Sequence, residues 1–156
     1  MPGYGVVGPT EGSGLLQWDW ATDRLVRSHD YWLSTVWPDC RPHVTPVWGV
    51  WRDGALWFSC SRRSRKARNL ARNPAVVATT DDPANPVVVD GEAVLVADRE
   101  SIAAFADWAD TKYETGYGVE FYGDPANACV RIDVVSVFAL SGDDFTGSPT
   151  RWAFAH

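Results

Sequence analysis

The chain has 156 residues, 46% of them hydrophobic and 22% charged, and a net charge of −6. That length suits one domain with one continuous core, no apolar run approaches the ~20 residues that span a bilayer, and the acidic balance argues against general binding to nucleic acid or anionic membrane. Three widely spaced cysteines, Cys40, Cys60 and Cys129, show neither zinc spacing nor a disulfide framework and point to a reducing, cytoplasmic compartment.

The opening residues are rich in glycine (Gly3, Gly5, Gly8, Gly12 and Gly14) and lack the basic and apolar stretches of a secretory signal. Residues 1–14 are expected to form a loose tail ahead of a single domain over residues 15–156. A short helix is predicted from about Trp20 to Ser28, with Leu25 and Val26 inward. Asp30 to Trp37 is a β-favouring run closed by Pro38-Asp39. A second strand runs from about His43 to Arg52 into Asp53-Gly54, a strong hairpin signal, and Ala55 to Cys60 returns as its partner. Ser64 to Asn73 switches to helical spacing, with Ala67, Leu70 and Ala71 on one face, and Pro74 ends it. Ala75 to Thr80 is a strand, and Asp81 to Pro86 a polar loop.

Val87 to Ala97 is extended, with Asp90-Gly91 either a hairpin turn or a bulge within one long strand. Asp98 is placed to cap a helix from Arg99 to Tyr113, whose Ile102, Phe105 and Ala109 recur at helical spacing. Thr115 to Ala128 reads as a Gly/Tyr-rich loop. The next strand alternates, with Val130, Ile132, Val134, Phe138 and Leu140 opposing Arg131 and Asp133. Hairpin-linked strands separated by short helices make the chain mainly β, an antiparallel closed or split barrel.

Nine tryptophans exceed what a core of this size requires. Most pack inside, and the remainder suit a subunit contact or the flat face of an aromatic cofactor.

Six of the 14 Lys and Arg residues fall between Arg62 and Arg72. Helix N-termini carry partial positive charge, and each cation placed there costs roughly 0.3–1 kcal/mol. Four cations nevertheless crowd the start of this helix, beside two serine hydroxyls and exposed backbone N–H groups, and together these make an anion site. A solvated basic face is the plain alternative, and the acidic remainder of the chain counts against nucleic-acid phosphate. A small phosphorylated cofactor fits best, because the preceding hairpin supplies an aromatic wall in Trp48, Trp51, Trp57 and Phe58.

The runs Arg41-Pro42-His43-Val44-Thr45-Pro46-Val47-Trp48, Asp53-Gly54-Ala55-Leu56-Trp57-Phe58-Ser59 and Ser64-Arg65-Lys66-Ala67-Arg68-Asn69-Leu70 resemble the pyridoxamine 5′-phosphate oxidase-like split barrels. So does Val87-Val88-Val89-Asp90-Gly91-Glu92-Ala93, which looks like the family's central strand and favours one long strand there. The resemblance covers about residues 18–156. It implies the flavin-reductase-like split β-barrel and a homodimer with two cofactor sites at the subunit interface. It also implies phosphate contacts from Ser64, Arg65 and Lys66 and from Ser59 and Cys60.

The family's flavin mononucleotide (FMN) oxidases carry an arginine and a lysine on the earlier strand. Here that strand is neutral, Val44-Thr45-Pro46-Val47-Trp48-Gly49, which argues against pyridoxamine phosphate as substrate and removes one anchor for FMN. It resembles instead the branch that uses the deazaflavin coenzyme F-420, as does Lys66-Ala67-Arg68-Asn69-Leu70. Thr45, Pro46 and Trp48 then border the ring. The function so implied is an oxidoreductase passing hydride from the deazaflavin to a small conjugated acceptor. FMN is the alternative cofactor, and a non-enzymatic carrier of flavin, deazaflavin or haem is the alternative of another class.

Other candidate groups are weaker. His29, His43 and His156 are isolated from carboxylates and cysteines at ligand spacing and read as structural or surface groups, His43 lying at the mouth of the ring-flanking strand. Cys60 has no His–Asn/Asp partnership and reads as packing beside the phosphate. Asp107, Asp110 and Glu114 read as solvated. Thr150-Arg151-Trp152-Ala153-Phe154 resembles the family's C-terminal segment, which brings Trp152 toward the cofactor; a terminal strand covering the barrel edge is the alternative.

Overall fold

Antiparallel strands joined by short helices account for most of residues 5–154, which a computed structural model of the protein describes. Helix α1 (Trp18–Arg27) leads into β1 (Asp30–Val36), β2 (Pro42–Arg52) and β3 (Ala55–Ser61). Helix α2 (Arg65–Leu70) precedes β4 (Ala75–Thr80) and β5 (Val87–Val96). Helices α3 (Arg99–Tyr113) and α4 (Gly118–Tyr122) then lead to β6 (Asn127–Ala139) and β7 (Thr150–Ala153). The strands pair in the order β3-β2-β1-β4-β5-β6, and β6 pairs back onto β3, closing a barrel that β7 extends. The seam strand β6 divides one edge between two partners: Leu56 of β3 faces Ile132, and Trp152 of β7 faces Val137. This is the mainly β, antiparallel split barrel that the strand pattern predicts.

Local chemistry explains the turns. Asp53 and Gly54 both take positive φ, 53° and 72°, the backbone of a two-residue type I′ hairpin. Asp98 caps α3, its carboxylate accepting the Ser101 N–H at 2.8 Å. Val87–Val96 is one continuous strand, and the Asp90-Gly91 irregularity is a bulge. Asp90 pairs with Ser136 but Gly91 with Val134, so Val135 is the extra residue on β6. A Cβ on Gly91 would stand 2.4 Å from the Asp133 carbonyl oxygen, which accounts for glycine there.

Four expectations are corrected. Val26 is 55% exposed; Ala21 and Leu25, one helical turn apart, form the inward face of α1. Helix α2 stops at Leu70, and Ala71 and Arg72 form a turn, because Pro74 bars Asn73 from helical backbone. Its buried residue is Asn69, while Ala67 and Leu70 are half-buried and Ala71 is exposed. On β6 the inward set changes parity after Val134: Val137 and Ala139 are buried and Phe138 turns outward, since the bulge at Val135 shifts the alternation by one residue. The 115–128 segment holds α4 and the start of β6 as well as loop. Residues 1–4 of the predicted tail and His156 lie outside the described residues. Within 5–14, the backbone of Val7, Pro9 and Gly14 bonds to Thr146, Arg151 and Gly147.

Two cores result. Inside the barrel, Leu33, Val47, Leu56, Phe58, Val89, Ile132 and Val137 pack together, with Leu25 of α1 among them. Outside it, α3 lays Phe105, Ala106 and Ala109 over Val50, Trp57 and Cys129. Each buried Val, Leu, Ile or Phe among them contributes roughly 1.5–3 kcal/mol. The outer core therefore fixes α3 against β2 and β3, and that placement creates the site.

Candidate functional site

Alternation on β2 sends Val47, Gly49 and Trp51 inward and leaves Pro46 and Trp48 exposed on the outer face. The type I′ turn returns β3 beside it, so that Ser59, Cys60 and Ser61 come out next to the start of α2. Ser64 caps that helix, its hydroxyl oxygen accepting the Ala67 N–H at 3.3 Å. From the opposite side α3 contributes Phe105 and Tyr113, and α4 with its N-cap contributes Tyr117, Phe121 and Tyr122. These elements enclose a cavity of about 510 Å³, within the ~300–1,000 Å³ typical of cofactor and small-molecule sites.

The cavity is polar at one end and aromatic elsewhere. Lys66 is its single charged lining group among the described residues, and it lies with Ser59, Ser61, Ser64 and Asn127. On the other side Trp48 stacks on Tyr113, the rings parallel within 5° and their centroids 4.5 Å apart. Tyr117 and Phe121, both exposed, lie 4.7 Å apart and leave flat faces open to a ligand.

Burial pushes the Cys60 thiol up, outweighing the Ser64 hydrogen bond and the charges of Lys66 and Arg62, so it stays protonated and is no thiolate nucleophile. Burial also raises the Tyr113 hydroxyl to about 12 and lowers the ammonium of Lys112, just behind the wall, to about 8. Among the described residues no group of three or more His, Cys, Asp or Glu side chains gathers as a metal site.

Of the residues singled out in the sequence, Pro46, Trp48, Ser59, Cys60, Ser64 and Lys66 line this one cavity. Three others are elsewhere. Thr45 lies just outside it on β2. Arg65 lays its guanidinium over Trp37, 3.8 Å from the ring centroid. Trp152, on β7, packs edge-on against Trp18 at 5.2 Å, in the barrel-edge position and away from the cavity of its own chain. His43 is 3.3 Å from the Thr35 hydroxyl and is not part of the lining. None of the cofactor residues singled out in the sequence comes from the α3–α4 wall. Its signal was Tyr113, Tyr117 and Phe121, spaced by four residues, which is helical spacing.

The family model described as pyridoxamine 5′-phosphate oxidase matches residues 21–141. No curated protein matches the chain. Among solved structures, a conserved hypothetical protein of Mycobacterium tuberculosis superposes with a TM-score of 0.74 at 24% identity, over 82% of this chain and 86% of that one. A structure described as an F420 reductase gives 0.61 at 24% identity, over 74% and 93% of the two chains. A haem-binding protein of Mycobacterium smegmatis gives 0.70 at 18% identity, over 89% and 60%. At such identities these structures share the fold with this chain.

Proposed function

From its membership of the pyridoxamine 5′-phosphate oxidase family, to which this chain belongs, we propose that the protein is an oxidoreductase that binds the deazaflavin coenzyme F-420 and reduces a small, neutral, conjugated acceptor. The observation that carries this reading is the division of the cavity: one cation among hydroxyls at one end, and an uncharged aromatic wall over the rest. A phosphorylated planar cofactor has the same division. The volume suits it, and the hydroxyl and ammonium donors of Ser59, Ser64 and Lys66 match a phosphate.

Lys66 and the serines would hold the phosphate, while Pro46 and Trp48 would border the ring. When bound, the deazaflavin supplies the hydride, and the chain's own residues bind, orient and exclude water. Trp48, Tyr113 and Phe105 keep the ring side dry. Tyr117 and Phe121 offer the acceptor a stacking face, and with no second cation in the lining among the described residues, an anionic acceptor lacks a partner there. The neutral β2 wall and the run Lys66-Ala67-Arg68-Asn69-Leu70 favour F-420 over FMN.

A homodimer completes this proposal. Trp32 and Val44 are exposed, like Trp48, and the pairings Trp32–Pro46, Ser34–Val44 and Asp30–Trp48 make them neighbours on the outer face of β1 and β2. An apolar patch of this kind beside a ligand cavity suits a subunit contact.

Parallel titrations with F-420 and FMN test the cofactor. The dissociation constant for F-420 is expected to be clearly the smaller. Tight FMN binding with no detectable F-420 binding would overturn the choice of cofactor.

A further inference from the structure

The ladder between β1 and β2 starts with Asp30 opposite Trp48. One step further, the same register would set His29 against Gly49, yet there the hydroxyl of Tyr113, from the end of α3, takes the place of the rung. It accepts the Gly49 N–H at 2.7 Å and lies 2.7 Å from the His29 carbonyl oxygen and 2.8 Å from that of Gly49. A hydroxyl has one proton to give, so it cannot satisfy both carbonyls at once. The neighbouring Lys112 removes the conflict: its ammonium donates to the Gly49 carbonyl at 2.7 Å and to the Ser28 carbonyl at 2.6 Å. The Tyr113 proton is then free for His29.

Residue 49 cannot anchor itself. A Cβ there would meet Tyr31, Leu56 and the Trp57 carbonyl at 3.0–3.2 Å, so the position is glycine and has no side chain. The strand is instead gripped from outside. Tyr113 does so twice, through its hydroxyl at Gly49 and through its ring, stacked on Trp48. Both residues line the cavity.

We infer that Lys112 and Tyr113 are positioning residues: they replace the missing rung at Gly49 and so fix the Pro46–Val50 wall against which the cofactor ring lies. The wall's anchoring is independent of any ligand, whereas its effect on a ring rests on the function proposed above.

The test uses the full chain with Tyr113→Phe and Lys112→Met, and Lys66→Ala as a variant that alters the phosphate end alone. Amide exchange followed by NMR reads the anchoring without any ligand. Tyr113→Phe leaves the Gly49 N–H without its acceptor, and its exchange should rise about tenfold or more, with β3 and β6 amides unchanged. F-420 titrations should show about tenfold weaker binding for Tyr113→Phe. The absorbance band of the bound chromophore should also move, a change Lys66→Ala should not produce.

Unchanged exchange at Gly49 overturns the inference whatever binds. Raised exchange with unaltered affinity and chromophore spectrum reduces the pair to a structural role and overturns it too. If wild type binds neither F-420 nor FMN but exchange in Tyr113→Phe rises at Val47–Val50 alone, the anchoring stands and the cofactor proposal fails.

Discussion

Arg65 and Trp37 form a stacked pair, with the guanidinium carbon 3.8 Å from the ring centroid, and this pairing turns Arg65 away from the cavity that Lys66 enters one residue later. Adjacent cations on α2 therefore have different work. Lys66→Ala should lower cofactor affinity about ten- to hundredfold, the loss of a charge-assisted contact worth ~1.5–3 kcal/mol. Arg65→Ala should leave affinity within about threefold and instead lower stability by ~0.5–1 kcal/mol, the value of a cation–π contact that is not fully desolvated. Arg72→Ala, beyond the helix, should change neither. Calorimetric titration and urea unfolding read the two effects, and equal, slight weakening by all three would point to diffuse charge.

Asp110 holds the far wall in place. Its carboxylate accepts from the Thr115 hydroxyl at 2.7 Å and from the N–H groups of Gly118 and Tyr117 at 2.8 and 3.2 Å. Burial opposes its ionisation, but these donors together outweigh that and hold the carboxyl below its ordinary range. Asp110→Ala should cost ~0.5–2 kcal/mol, as the loss of a helix cap does. It should also weaken ligand binding by loosening Tyr117 and Phe121. Thermal melts with and without ligand measure both, and intact affinity would show that the aromatic wall is not needed.

Lys112 gives the fold a pH dependence of definite sign. Unfolded, it keeps its proton to the ordinary 10.5; folded, burial brings it down to about 8, against the opposing pull of Asp30 and Asp81. Between those values the unfolded chain binds more protons, so this group's contribution to stability rises with pH and is lost as pH falls through about 8. Urea midpoints of wild type and Lys112→Met across this range should diverge, the wild type gaining relative to the variant toward pH 10. Parallel curves would mean that the Ser28 and Gly49 carbonyls, which accept from the ammonium, offset its burial.

Sedimentation should report about twice the chain mass of 17.2 kDa. Trp32→Glu puts a charge in the centre of the β1–β2 patch and should shift the population toward monomer, since desolvating an unpaired carboxylate costs several kcal/mol. A wild-type monomer with full cofactor affinity would show that the site is complete within one chain.

The barrel was legible because its signals are local. Period-two runs, the Asp53-Gly54 turn and the Asp98 cap each act over a few residues. The misread positions depend on partners far along the chain. Phe138 points outward because of a bulge opposite Asp90-Gly91, and nothing near Phe138 records that pairing. Six of nine expected cofactor residues converge, all on β2, β3 and α2, where strand parity and the cap set direction. Arg65 does not join them because successive residues on a helix point about 100° apart. The α4 wall was hidden by Gly116 and Gly118, which read as loop punctuation although the aromatic spacing continues through them.

The seam at β6 also dictates when the barrel can exist. Hairpin β2–β3 is local, but its free edge waits for residues 127–132, which are synthesised after the other five barrel strands. Until then the Leu56 and Phe58 row of β3 lacks its neighbour, leaving an open edge of the kind that invites aggregation. Closure over so long a loop makes folding slow, on the milliseconds-to-seconds scale of non-local β topologies, and dependent on β6, the last of the six barrel strands.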